Sequence, residues 1–354
     1  MGLRLSVLDQ SPISEGMTGS EALHNTIDLA RLTDALGYHR YWVAEHHGGP
    51  MLAGPSPEAL IGPIASATTD IRVGSGGVML PHYSPFKVAE TFSVLAGLYP
   101  GRIDLGLGRA AGTDPMTTHA LQRDRSKAMP DDFPEQLAEL LAYFEGTIPI
   151  SSPLARLAKV LPGRPETPEP WLLGSSPQSA VWAGELGLPY AFADFINSNG
   201  AEIANLYRRE FREGVRFESP RTTVAVWALA ADTEEEAVRL ATSSRMAFTM
   251  LRRGRLIAVP PPETAERFLA SEESNGTPMR RRTILGTAAQ VKAGIEEAAA
   301  EYGAQEVIVV TITYDHGARR RSYELIAEAF GLPASRRDDA VPDFDHPIAV
   351  DRRV

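Results

Sequence analysis

The sequence predicts an α/β fold, a single (β/α)8 barrel of the TIM type with loop insertions. Three observations predict it. Eight short β-like runs alternate with longer helical ones along the chain. Such alternation favours parallel strands, because parallel neighbours need long crossovers. The chain has 354 residues, 43% of them hydrophobic, which is enough for one large core. Eight βα units in one domain-sized chain favour a closed barrel over an open doubly wound sheet, which is the alternative.

The elements follow in order. Leu3–Asp9 reads as a strand and Ser20–Leu36 as a helix. Ile27, Leu29, Ala30, Leu32 and Leu36 give that helix an apolar face. Gly37 ends it, as a residue tolerant of positive φ does. Tyr41–Ala44, Ile71–Met79 and Ile103–Gly108 read as strands, with helices at Pro57–Ala67 and Pro85–Tyr99 between them. A Pro at the first helical position suits both helices. Later strands read at Trp171–Gly174, Tyr190–Ala193, Thr222–Ala231 and Glu306–Thr313. Their helices read at Pro177–Leu186, Ala201–Glu213, Glu234–Leu251, Ala288–Tyr302 and Arg319–Phe330.

Residues 1–332 are expected to form one domain, followed by a polar tail at 333–354. Insertions are expected near 110–132, 147–169 and 252–286, the first two flanking one helix. The second is rich in proline, and the third carries Pro260-Pro261-Pro262 and Arg280-Arg281-Arg282. Long loops in a barrel are usually functional. The Arg run reads as a solvated face or a set of ion-pair partners.

Charge and cysteine content exclude several functions. Lys plus Arg number 35 and Asp plus Glu 45, a net charge of −10. That balance argues against a nucleic-acid partner. With no Cys there is no disulfide, thiolate zinc site, iron–sulfur cluster or cysteine nucleophile. A reducing cytoplasm is the expected location. The apolar start at Leu3–Leu8 reaches Asp9 too soon for a signal peptide or a membrane span.

A parallel barrel builds its active site at the C-terminal strand ends. There the second strand delivers Glu45-His46-His47. Adjacent strand residues face opposite ways, so one His is expected to look into the mouth and the other to be structural. A carboxylate beside an imidazole suits acid/base work, and no metal site is expected. Gly76-Gly77 interrupts an apolar strand, which suits close approach of a flat ligand or a plain bulge. Gly174-Ser175-Ser176 leads into a helix, and Ser179 lies in its first turn. Backbone N–H groups, the helix dipole and two hydroxyls make a phosphate seat there, or an ordinary N-cap. Gly108-Arg109 closes the fourth strand, with Arg109 as a counter-charge or a solvated cation. A flat wall, a phosphate seat and a His suit a mononucleotide cofactor such as FMN.

The sequence resembles the bacterial luciferase-like flavin monooxygenases. The resemblance is carried by Tyr41–His47, by Val73–Pro81 continuing through Pro85 and Glu90, and by Pro100–Arg109. Trp171–Ser176 and Leu186–Pro189 extend it. It runs in order from about Leu3 to Gly331 and is nearest to a subgroup that includes an oxygenase of the mensacarcin polyketide pathway. The resemblance implies reduced FMN, dioxygen as oxidant and an organic substrate, for this subgroup an aromatic polyketide of antibiotic biosynthesis. It places a cis peptide at Gly76–Gly77 and aligns the catalytic His with His46. Ser176, Ser179 and Arg109 align with phosphate and flavin contacts, and Glu45 would orient His46 or the flavin. A homodimer through Pro57–Ala67 and Pro85–Tyr99 is also implied.

A separate NAD(P)H:flavin reductase is expected, because Gly106-Leu107-Gly108-Arg109-Ala110-Ala111 lacks the third Gly of a dinucleotide fingerprint. The chain departs from luciferase at Gly108, where luciferase has Cys, and at Asp194, where it has Trp. The subgroup's Ala-Ser-His is replaced by Ala193-Asp194-Phe195. These positions are expected to shape the substrate side, so light emission from a long aldehyde is not implied. A deazaflavin-dependent oxidoreductase and a non-enzymatic flavin-binding protein are the alternatives.

Overall fold

The computed structural model describes residues 2–109, 114–122, 125–126, 132–159, 166–214, 217–273 and 282–334. The first half runs β1 (Arg4–Asp9), α1 (Gly19–Ala35), β2 (Arg40–Val43), α2 (Pro57–Ser66), β3 (Arg72–Met79), α3 (Pro85–Leu98) and β4 (Ile103–Gly108). Then come α4 (Pro115–Leu121), α5 (Phe133–Glu145), β5 (Glu169–Gly174), α6 (Pro177–Glu185), β6 (Tyr190–Ala193) and α7 (Ala201–Glu210). The last third holds β7 (Thr222–Ala230), α8 (Glu234–Arg252), α9 (Pro262–Glu273), β8 (Ile284–Gly286), α10 (Ala288–Tyr302), β9 (Glu306–Val310) and α11 (His316–Phe330).

Every ladder between these strands is parallel. The order is β6-β5-β4-β3-β2-β1-β9-β7-β8, and a β6–β7 pairing closes the ring. The barrel therefore has eight strands, as the alternation predicts. A ninth, β8, was not foreseen. It pairs with the C-terminal end of β7 at Ala228–Ala230, while Thr223–Trp227 of the same strand pairs with β9. Three residues are too few to show strand periodicity. The stretch expected as an insertion at 252–286 contains both α9 and β8, and Pro262 opens α9 at a position where Pro is tolerated. The stretch at 110–132 contains α4. Arg280, Arg281 and the tail beyond residue 334 lie outside the described residues.

Local signals explain where elements start and stop. Thr18 and Glu21 form a capping box at the head of α1. Gly37 follows the helix at φ +83°, as expected. The main core lies between barrel and helices and includes Val7, Tyr41, Val73, Leu105, Ile61 and Phe92.

The barrel floor is polar. Arg40, 2% exposed, begins β2 and points into ions rather than water. Its Nη1 donates to Asp104 at 2.8 Å and its Nε to Glu306 at 2.9 Å. Trp42 Nε1 also donates to Asp104, at 2.9 Å. Glu169 also stands 3.2 Å from Arg40 Nη1, and three carboxylates keep this buried cation satisfied. The network plugs the N-terminal end of the barrel and leaves the C-terminal end to hold the site.

Candidate active site

The C-terminal mouth holds a cavity of about 440 Å³. All eight barrel strands contribute to it: Leu8 of β1, Trp42 of β2, Gly76 and Met79 of β3, Gly108 of β4, Gly174 of β5, Ala191 of β6, Ala225 of β7 and Ile308 of β9. His46, Gly77, Arg109, Ser175, Ser176 and Ser179 line it too. Of the candidate catalytic and cofactor-binding residues, all but Glu45 reach this cavity; His47 and Asp194 do not line it.

The Gly76–Gly77 peptide is cis, where the resemblance places it. The β3–β4 register steps from Ser75↔Leu105 to Val78↔Leu107, so both glycines also form an irregularity in the ladder. A Cβ on Gly76 would stand 2.6 Å from Leu8 Cδ1, and one on Gly77 2.7 Å from the Gly106 carbonyl oxygen. Gly77 is needed by the barrel wall itself, whereas at Gly76 the nearest atom is the end of a flexible leucine, with Trp42 Cβ at 3.0 Å. Gly108 is different, since its Cβ would meet the flexible Met79 thioether at 3.1 Å.

His46 follows β2 and is fixed by its backbone N–H, which donates to Gly54 at 3.0 Å. Its Nδ1 is buried without a hydrogen-bond partner. Burial first, and His47 second, push its pKa down to about 4, so the ring rests neutral at physiological pH. A neutral imidazole can accept a proton and return it, but it is not a standing cationic acid.

Of the two expectations for Glu45, orienting His46 or the flavin, the first is corrected. The Glu45 side chain is fully buried, and it accepts from His47 Nε2 at 2.7 Å, from Met79 N–H at 2.9 Å and from Tyr83 Oη at 3.1 Å. It ties the end of β2 to the end of β3. His46 and His47 point different ways, as their adjacency predicts. His47 pairs with Glu45 and stands edge-on to His82 at 6.0 Å between centroids.

The turn into α6 is built as a donor seat. Ser176 is its N-cap, with a long 3.4 Å contact from Ser179 N–H to Ser176 Oγ. Ser179 Oγ donates to the Ser176 carbonyl at 2.8 Å and lies 2.9 Å from Tyr190 Oη. Ser179 is therefore engaged by the protein, whereas Ser176 holds its cap weakly. Asn197 Nδ2 donates to the Ser175 carbonyl at 3.1 Å and steadies the turn. Arg109 lies over the Trp182 ring of α6 at 5.5 Å, which brings its charge to the same helix.

The sequence did not single out Gln10, Met79, Trp182 or Tyr190. Gln10 directly follows β1, so reading the end of that strand would have found it. Asp194, expected on the substrate side, turns away from the cavity. It accepts from Tyr302 Oη at 2.7 Å and pairs with Arg282 at 3.4 Å. Burial raises its pKa despite these partners. Its neighbour Phe195 lines the cavity instead.

The family model for luciferase-like monooxygenases matches residues 3–306. The chain belongs to that family. A luciferase-like monooxygenase of Escherichia coli K12 is 42% identical over 91% of this chain and 96% of its own. The N-acetyl-S-alkylcysteine monooxygenase of Bacillus subtilis is 37% identical over 92% of this chain and 98% of its own. Among solved structures, apo-MsnO8 is 39% identical with a TM-score of 0.84, covering 94% of this chain and 99% of that one. This luciferase-like monooxygenase is accordingly an oxidoreductase, and the barrel mouth holds its candidate site.

Proposed function

We propose that this family member is a two-component monooxygenase that uses reduced FMN and dioxygen to place one oxygen atom on an organic substrate. One observation carries the reading. A single cavity brings together the α6 N-terminus with Ser176, the Arg109 cation, the Gly76–Gly77 wall and an imidazole with a buried, unpartnered nitrogen. These residues fit a mononucleotide with a flat ring and one phosphate.

When bound, reduced FMN supplies the two electrons that split dioxygen, one atom going to substrate and the other to water. Ser176 and the first N–H groups of α6 hold the phosphate, with Arg109 as counter-charge. Gly76, Gly77 and Gly108 leave room for the ring. Trp42, Leu173 and Phe195 keep water out of the mouth. His46, neutral at rest, accepts a proton at a ring nitrogen and returns it as oxygen is transferred. Glu45 holds the ends of β2 and β3 in register beneath it.

A separate NAD(P)H:flavin reductase supplies the reduced cofactor, and the cytoplasm is the proposed location. No helix among the described residues is long and apolar enough to cross a membrane. The proposed homodimer uses α2 and α3, where Val94 and Leu98 stand 59% and 66% exposed. Sedimentation at micromolar concentration tests it, and a monomer would refute it. Two substrate classes are in view. An aromatic polyketide follows from the subgroup resemblance, and a thioether from the name of the Bacillus subtilis relative.

Single-turnover mixing of the reduced-FMN complex with oxygen and substrate tests the function. His46→Ala should keep FMN affinity within a few-fold and cut oxygen transfer by roughly 10²–10⁴. Failure of the parent protein to bind reduced FMN would favour the deazaflavin reading. FMN binding without oxygen transfer to any organic acceptor would favour storage.

A further inference from the structure

A second cavity, of about 490 Å³, shares Gln10 and His46 with the flavin cavity. Its walls are mostly apolar, from Met51, Leu52, Phe248, Leu251 and Leu256. The volume is that of a small-molecule pocket. Among the described residues no Lys or Arg lines it, and Asp114 is its one carboxylate.

Gln10 is the unusual member. It is 7% exposed, and its Oε1 is buried with no hydrogen-bond partner. A buried amide oxygen left unpaired is costly, and native proteins rarely carry one without reason. The oxygen belongs to a residue that faces both cavities. On the same boundary stands His46, whose Nδ1 is likewise unpaired. Two orphaned polar groups at the junction of two cavities mark where a ligand's polar atom belongs.

We propose that the second cavity is the organic-substrate chamber and that Gln10 is its specificity-determining residue. The substrate class is an uncharged molecule with an apolar body and one O–H or N–H donor, received by Gln10 Oε1. The inference rests on the monooxygenase reading, which needs a second molecule beside the flavin. A substrate in this chamber meets the flavin cavity where His46 stands, so one residue serves both binding and proton movement. A carboxylate-bearing molecule is disfavoured. Among the described residues it would find no Lys or Arg on these walls, where the His47 imidazole is already held by Glu45, and Asp114 stands at hand to repel it.

The test is calorimetric titration of FMN-saturated protein with three probes. These are para-methylthiobenzyl alcohol, its methyl ether and para-methylthiobenzoate. The parent should bind the alcohol about tenfold more tightly than the ether, the difference expected of one buried hydrogen bond. The benzoate should bind more weakly than either. Gln10→Leu should bind alcohol and ether within threefold of each other while keeping FMN affinity within a few-fold. Leu256→Trp narrows the chamber and should weaken both neutral probes, again with FMN retained.

Four results overturn the proposal. They are an alcohol preference that survives Gln10→Leu, indifference to Leu256→Trp, displacement of FMN by the alcohol, and no binding of either neutral probe by the parent. FMN titration of the same samples separates the two readings. If the parent fails to bind FMN, the flavin assignment falls. The probe titrations, run on the protein alone, still report on the chamber.

Discussion

Glu45 Oε1 and His47 Nε2 lie 2.7 Å apart, the imidazole donating to the carboxylate. This pairing takes the acid away from His46 and gives it to the neighbour that faces the other way. It turns Glu45 from a catalytic partner into a positioning residue. The Met79 N–H it also holds belongs to the strand that carries Gly76 and Gly77.

The first prediction follows from that bond set. Glu45→Ala leaves the Met79 N–H and the Tyr83 hydroxyl without their partner. Urea unfolding should show a loss of about 2–4 kcal/mol. Glu45→Gln keeps an acceptor for Met79 and should lose about half as much. FMN affinity should fall with stability across the two variants. A Glu45→Ala protein that unfolds like the parent but has lost turnover would show that the carboxylate acts on the reaction directly.

The second prediction concerns pH. The His46 pKa lies below its ordinary 6.5, at about 4, because of burial. The unfolded chain therefore binds a proton that the folded chain refuses between those values. Stability is full above about pH 6.5 and declines as pH falls towards 4, by about 3 kcal/mol at most for this group. His39 and His316 also have lowered values, so the parent alone cannot isolate the effect. The difference between the parent and His46→Gln can. Urea midpoints of the two should run parallel above pH 6.5, and the parent's should fall relative to the variant's as pH drops towards 4. A constant difference over that range would mean that His46 titrates normally.

A third prediction separates Gly77 of β3 from Gly108. Gly77→Ala places a methyl group against the Gly106 backbone, which cannot swing aside. It should destabilise the barrel by about 1–3 kcal/mol. Gly108→Ala meets the Met79 thioether, whose rotamers can give way. It should unfold within about 1 kcal/mol of the parent. Thermal unfolding of both variants checks this, and a Gly77→Ala protein as stable as the parent would refute the close approach.

Much of this was readable beforehand, for physical reasons. Pro57, Pro85 and Pro177 open helices, and Gly37 follows one, because each fits a backbone need that few other residues meet. The apolar strand runs are conspicuous because a barrel buries strands on both faces. Three kinds of feature were not readable. β8 is too short for a period. Alternation puts Glu45 on the face of His47, but the Met79 and Tyr83 contacts that fix it there come from 34 or more residues away. Asp194 occupies a familiar site position in the chain but turns towards Tyr302 and Arg282, which lie 88 or more residues away in sequence. Contacts of that range leave no local trace.

The last prediction divides the work of the two serines at the head of α6. Both were read as phosphate donors, but they stand in different bonding states. Ser179 Oγ is shared between the Ser176 carbonyl and Tyr190 Oη, and Tyr190 is fully buried. Ser179→Ala strips that phenol of its partner and should cost about 1–3 kcal/mol of stability. Its effect on flavin binding should be similar for FMN and for riboflavin, since it disturbs the turn rather than a phosphate contact. Ser176 Oγ holds a 3.4 Å cap and a 3.3 Å contact with Ser179 Oγ, both long, so Ser176→Ala should change stability by less than about 1 kcal/mol. Its hydroxyl can turn to a phosphate at little cost. Ser176→Ala should therefore weaken FMN about tenfold, the loss of one hydrogen bond to a charged group, and leave riboflavin binding unchanged. Fluorescence titration with both flavins reads the difference. If Ser176→Ala binds FMN as tightly as the parent while Ser179→Ala loses FMN selectively, the seat is built on Ser179 and the weak cap is only a cap.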